Sequence, residues 1–276
     1  MRSTLLALLF LPLITIAQKK QITLEDIYKK GTFRGEFVPG FTGSNDDSLF
    51  NPNEIVDEQG KKIDTRDYEL SADKKRIIFF NGREPIYRHS SKANVYVYDI
   101  ASKKAVLLNK GKVLHPTFSP GGNKVAYVFD NNLYFYDFAS GKTTQVTTDG
   151  KWNHIINGNC DWVYEEEFSF TRAFQWSPQG TYIAYYKFDE SKVKEYQFTV
   201  FDAGYNSQYS YKYPKAGDDN SKVEIHIYNV GTGEDVKAQY EQGDIYIPRI
   251  KWTQTDNKLV VYWMNRHQNY LKLLLT

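Results

Sequence analysis

One tight turn, repeated ahead of a short apolar strand, constrains this chain more than any other feature. Ser119-Pro120-Gly121-Gly122 precedes Lys124-Val125-Ala126-Tyr127-Val128, and Ser177-Pro178-Gln179-Gly180 precedes Tyr182-Ile183-Ala184-Tyr185-Tyr186. Looser copies are Ser71-Ala72-Asp73 ahead of Arg76-Ile77-Ile78-Phe79-Phe80, and Thr253-Gln254-Thr255-Asp256 ahead of Lys258-Leu259-Val260-Val261-Tyr262. Proline presets φ and glycine supplies the backbone freedom that such a turn needs. Two copies continue into a second hairpin. Residues 95–100 turn through Ala101-Ser102-Lys103-Lys104 into 105–108, and residues 133–138 turn through Ala139-Ser140-Gly141-Lys142 into 143–146. Four strands recurring at about 50 residues predict a β-propeller blade. An ordinary sandwich of hairpins uses the same turns, and it is the repetition that favours the propeller.

The expected fold is therefore all-β, a partial propeller of four to five blades over residues 46–276. The spacing between copies widens from about 50 to about 75 residues, so the later blades carry insertions. Few propellers close with so few blades, and an unclosed one exposes sheet edges. A further C-terminal part is expected on that ground. The 22 Tyr and 17 Phe suit strands. With 35 basic against 33 acidic residues there is no basic footprint for nucleic acid.

The first residues read differently. Arg2, an apolar run from Leu5 to Ile16 and the small residue Ala17 predict a secretory signal over residues 1–17. The run falls short of the roughly 20 residues a membrane span needs. Export to the periplasm or the cell exterior is thus expected. Cys160 is the only cysteine and no Asn-x-Ser/Thr sequon occurs, which fits a bacterial setting. The five histidines show no metal spacing and are expected to be structural; no phosphate-cradling glycine loop is present, and no metal or cofactor is implied.

Between two blades lies Asn157-Gly158-Asn159-Cys160-Asp161-Trp162-Val163-Tyr164-Glu165-Glu166-Glu167. Alone, three adjacent carboxylates read as a solvated acidic turn. In context, Asp-Trp-Val-Tyr-Glu-Glu-Glu followed by Gln-Trp-Ser-Pro resembles the dipeptidyl-peptidase IV family of prolyl oligopeptidase-like serine peptidases. Tyr211-Lys212-Tyr213-Pro214-Lys215-Ala216-Gly217, Arg88-His89-Ser90 and Asn265-Arg266-His267-Gln268-Asn269 also look like that family's landmarks, in the right order. The resemblance runs from about residue 20 to about residue 270.

In that family an eight-bladed propeller sits over an α/β-hydrolase domain. The resemblance implies release of Xaa-Pro and Xaa-Ala dipeptides from peptides with a free N-terminus. Such an exopeptidase measures two residues from a cationic amine, and paired carboxylates do this by charge-assisted hydrogen bonds. Glu166 and Glu167 match the family residues with that role, and Arg88 matches the arginine that reaches the first peptide carbonyl. Glu165, Trp162 and Tyr164 are expected to support them. Residues 18–45 correspond to the segment that packs on the hydrolase domain, with a short helix over Ile22 to Tyr28. Family members are commonly dimers, so a homodimer is an expectation for the longer protein.

The catalytic residues are another matter. A hydrolase of this fold carries its serine in a Gly-x-Ser-x-Gly elbow, with Asp and His following, and these 276 residues hold no such elbow. The α/β-hydrolase domain is therefore expected to be absent, and the chain inactive by itself. A stand-alone propeller that binds peptides or proteins without catalysis is the other reading.

Overall fold

The computed structural model describes residues 21–35, 49–201, 204–254 and 258–276. The expected signal at 1–17 lies outside them, as do residues 255–257 of the fourth turn. The chain divides into two compact units, Met1–Asn45 and Asp46–Thr276. In the first, α1 spans Leu24–Tyr28. It starts two residues later than the sequence suggests, because Thr23 caps it. The Thr23 hydroxyl accepts from the Asp26 amide while the Asp26 carboxylate accepts from the Thr23 amide, a reciprocal capping box.

The second unit is a run of antiparallel sheets. The first holds β1 (Tyr68–Leu70), β2 (Arg76–Pro85), β3 (Ser91–Asp99) and β4 (Lys104–Leu107) in that spatial order. The next repeats it with β5 (Leu114–Phe118), β6 (Lys124–Phe129), β7 (Asn132–Asp137) and β8 (Lys142–Gln145). Each is a four-stranded meander, the unit of a propeller blade. The third is elaborated. Its path is β10 (Phe174–Trp176), β11 (Tyr182–Asp189), β14 (Lys222–Asn229) and β15 (Asp235–Lys237), and β9 (Ile155–Asn157) pairs onto the far end of β11. Between β11 and β14 stands a separate hairpin of β12 (Glu195–Val200) and β13 (Ser207–Lys212). This hairpin accounts for the widened spacing. The fourth sheet has β16 (Ile245–Trp252), β17 (Leu259–Asn265) and β18 (Leu271–Leu275).

The blades cohere because their inner strands are apolar on both faces. Along β6, Val125 and Tyr127 pack with Ile78, Val95 and Val97 of the first blade. The intervening Ala126 and Val128 pack with Phe174, Ile183 and Tyr185 of the third. Along β11, Ile183 and Tyr185 face back to the second blade, while Ala184, Tyr186 and Phe188 face forward to Ile247, Leu259 and Val261 of the fourth. Successive side chains of a strand point to opposite faces, so an unbroken apolar run serves both neighbours.

The repeated turn fixes where each such strand starts. The Ser119 hydroxyl accepts from the Lys124 amide at 3.1 Å, and the Ser177 hydroxyl accepts from the Tyr182 amide at 3.0 Å. The Ser71 hydroxyl does the same for Arg76 at 3.0 Å. Gly122 and Gly180 take φ of +68° and +71°, where a side chain is strained. In the first blade that place is held by Lys74 at φ +53°.

Candidate functional site

The acidic stretch is not a turn. Trp162–Phe168 forms a two-turn helix, α2, on the connection leading into the third blade. Asp161 is its N-cap: one carboxylate oxygen accepts from the Tyr164 amide at 2.9 Å, the other from the Ser221 hydroxyl at 2.6 Å. Burial raises the Asp161 carboxyl above its ordinary range, against the pull of those two hydrogen bonds. Seven residues make a marginal helix by themselves, and this one is held by packing.

Tyr164 is the anchor. It is 2% exposed, with ring centroids of Phe188 and Phe168 at 4.8 and 5.0 Å, and its hydroxyl accepts from the Ile247 amide at 2.8 Å. The helix is thereby tied to the fourth blade. On its opposite side, Glu165 ties it to the first. Glu165 is 1% exposed and one of its oxygens accepts from the backbone amides of His89 and Ser90 at 2.7 and 2.8 Å. That grip fixes the loop between β2 and β3 that carries Arg88. Arg88 then reaches back, with its Nε 3.2 Å from a Glu166 carboxylate oxygen.

Glu166 and Glu167 differ in surroundings. The Glu166 side chain is mostly covered, 18% exposed, whereas its partner Arg88 is 73% exposed and has donors left over. Glu167 is exposed and lines a cleft of about 720 Å³. Trp162 forms part of that cleft and packs on Tyr213 with ring centroids 4.2 Å apart. Tyr211 lines it from β13, Tyr213 and Lys215 from the stretch just after that strand, and Arg266 from the β17–β18 turn. The four sequence landmarks, spread over some 180 residues, thus converge on one helix: three around the cleft and Arg88-His89-Ser90 against the helix itself. Two carboxylates in the last turn also run against the helix dipole, which favours cations at that end. No basic residue occupies the turn to offset them. Local stability does not explain that placement.

Ser221 carries no sequence signal of its own. Asp161 and Ser90 stand within the sequence landmarks, but the hydrogen bonds through which all three act are created only by the fold. Tyr87 packs on Tyr211 at 5.7 Å, bringing the Arg88 loop against the hairpin. Tyr209-x-Tyr211-x-Tyr213 does show an alternating pattern that marks an aromatic strand face. His115 is half-buried at φ +53°, its Nε2 lies 2.8 Å from the Asn159 side-chain oxygen, and desolvation lowers its pKa to about 4. Burial also pushes the Cys160 thiol well up, away from reactivity.

The grip of Glu165 has a testable consequence. Glu165→Ala orphans the buried Ser90 amide and the partly buried His89 amide, and is expected to destabilise the protein by about 1–3 kcal/mol. Amide exchange at His89 and Ser90 should accelerate, while Glu165→Gln, which keeps an acceptor, should largely preserve protection. Unchanged exchange in Glu165→Ala would show that the loop is held by something else.

The fold defines the class: antiparallel blades of a propeller. Its particular kind follows from comparison with known proteins. Residues 71–276 match the family described as Dipeptidyl peptidase IV (DPP IV) N-terminal region, and the chain belongs to that family. It is 33% identical over 239 residues to dipeptidyl peptidase 4 of Sus scrofa, covering 81% of this chain and 31% of that protein. It is 32% identical over 220 residues to prolyl endopeptidase FAP of Homo sapiens, covering 76% of this chain and 29% of that one. The crystal structure of Porphyromonas gingivalis dipeptidyl peptidase 4 superposes with a TM-score of 0.78 at 40% identity, over 85% of this chain and 34% of that one. The chain therefore spans about a third of the length of these relatives.

Proposed function

We propose that this chain is the part of an exported dipeptidyl-peptidase IV-like serine exopeptidase that recognises the substrate's N-terminus. Glu166 and Glu167 receive the α-ammonium of a peptide whose first two residues are then released as an Xaa-Pro or Xaa-Ala dipeptide. The ammonium has three N–H donors and the two carboxylates offer four oxygens, so charge-assisted hydrogen bonds fix both its place and its direction. Arg88 holds Glu166 with one edge of its guanidinium and presents the rest to the first peptide carbonyl. The hydrolytic serine, aspartate and histidine belong to an α/β-hydrolase domain that these residues do not include. Arg2 and the apolar run to Ile16 support export, and assembly into a homodimer is part of the same proposal.

The observation that carries this reading is the three-way division of labour along one helix. Glu165 is spent on the backbone of the Arg88 loop, Glu166 is paired with Arg88, and Glu167 stands open to the cleft. The test is calorimetric binding of the tripeptide Ala-Pro-Ala with free and with acetylated N-terminus. A hydrogen bond to a charged group contributes about 1.5–3 kcal/mol, so acetylation, Glu166→Gln and Glu167→Gln should each weaken binding roughly tenfold or more. Equal affinity for the acetylated peptide removes these carboxylates from N-terminus recognition.

A further inference from the structure

A second cavity, of about 900 Å³, lies where the β2–β3 loop, the second blade and the β12–β13 hairpin meet. It shares no lining residue with the cleft beside Glu167. At its wall stands Glu190, directly after β11, 6% exposed. Among the described residues the Glu190 carboxylate has neither a hydrogen-bond donor nor an ion-pair partner. A buried carboxylate left without donors is costly unless a cation comes to it. The basic residues nearby are engaged elsewhere. Lys212 donates to the Val193 carbonyl at 2.7 Å and pairs with Glu195, while Lys92 and Lys112 at the rim both pair with Glu84.

The rest of the wall is aromatic and apolar. Tyr87, Tyr209 and the half-exposed Trp152 line it, with Leu114 and Ile156. A lone carboxylate among phenol and indole rings suits an organic ammonium, whose charge meets the carboxylate and the ring faces while its carbon body covers the aliphatic wall. A metal ion needs several oxygen ligands and far less room, and among the described residues no cluster of three acidic, His or Cys donors is placed to hold one. We propose that this cavity is a binding site for an aryl- or alkylammonium cation, with Glu190 as its counter-charge and Trp152, Tyr87 and Tyr209 as its aromatic wall.

The charges around Glu190 agree with this. Asp161 at the cap of α2 and Asp189 on β11 both disfavour its ionisation, Lys212 on β13 favours it, and the Tyr87 phenol feels the same carboxylate. Burial is the largest influence and raises the carboxyl to about 7. A cation that demands the ionised form will therefore bind more tightly as pH rises from 5.5 to 8, and will release a proton when it binds near pH 7.

The probe is phenethylammonium, with neutral 2-phenylethanol as its near-isostere, titrated calorimetrically into the purified protein. Wild type and the Glu166→Gln/Glu167→Gln double variant should both bind the amine, more tightly at pH 8 than at pH 5.5. The enthalpy at pH 7 should depend on the buffer, reporting the released proton. Glu190→Gln, close in shape and free of the buried charge, should weaken binding about tenfold or more and abolish the pH dependence. The proposal is overturned if Glu190→Gln binds as wild type does, if 2-phenylethanol binds equally well, or if wild type shows no binding of the amine at millimolar concentration. Binding lost in the double variant but kept in Glu190→Gln also overturns it, since the amine would then be seated on the helix α2 carboxylates.

Discussion

Tyr164→Ala is expected to lower the unfolding free energy by about 3–5 kcal/mol, the range for removing a large aromatic from a core. The ring is enclosed by Phe168, Phe170, Tyr186, Phe188 and Tyr246, so little can collapse into the space it leaves. The lost hydroxyl also strands the Ile247 amide between the third and fourth blades. Tyr164→Phe separates the two effects. It keeps the ring and should cost only about 1–3 kcal/mol, the penalty for one orphaned buried donor. Denaturant titration of both variants measures the difference. Because Tyr164 seats the helix that bears Glu166 and Glu167, Tyr164→Ala should also weaken Ala-Pro-Ala binding under conditions where the protein is still folded. A Tyr164→Ala variant as stable as Tyr164→Phe would mean that the ring is not what holds the helix.

The second large effect is a stability that declines with rising pH. Glu190 has a folded pKa of about 7 against an ordinary 4.5, with burial the main cause. The native state therefore holds the proton more tightly than the unfolded chain, and each unit of such a shift corresponds to about 1.4 kcal/mol. Stability should fall as pH rises from about 4.5 to 7 and level off above, with a total loss of about 3 kcal/mol. Asp161, also raised by burial, acts in the same direction. Glu190→Gln removes the ionisable group, so it should be close to wild type at pH 5 and more stable by about 2–3 kcal/mol at pH 8. Parallel melting curves across pH 5–8 decide this. A constant offset between the two proteins would show that Glu190 does not titrate in that window.

The blades were legible because their information is local. Ser-Pro-x-Gly announces a turn by its own chemistry, and the apolar runs 125–128 and 183–186 announce buried strands whatever lies next to them. Helix α2 was not legible as a helix. Trp162-Val163-Tyr164 favours strands by propensity, and the segment is helical because Tyr164 and Glu165 are each fixed by a different blade. The candidate site was legible as a set of residues but not as an arrangement. Glu165, Glu166 and Glu167 are alike in sequence and become unlike only when one is buried under a loop, one is paired and one is left in a cleft. Glu190 had no signal at all, since an Asp-Glu-Ser after a strand reads as an ordinary surface turn.

The two-faced strands leave one problem that the turns resolve. In a half-buried sheet, a slip of one residue exposes apolar side chains, and hydrophobicity itself rejects the error. Here Ile77 and Ile78, or Ala126 and Tyr127, would be buried after such a slip as well as before it. Oil-and-water sorting is nearly blind to the mistake. The serine hydroxyls that catch the first strand amides act instead as a ruler's zero mark, setting which residue faces which blade. Core residues of this protein should therefore tolerate exchange more readily than any change in the length of those short turns, where one added residue would swap the neighbours of a whole strand.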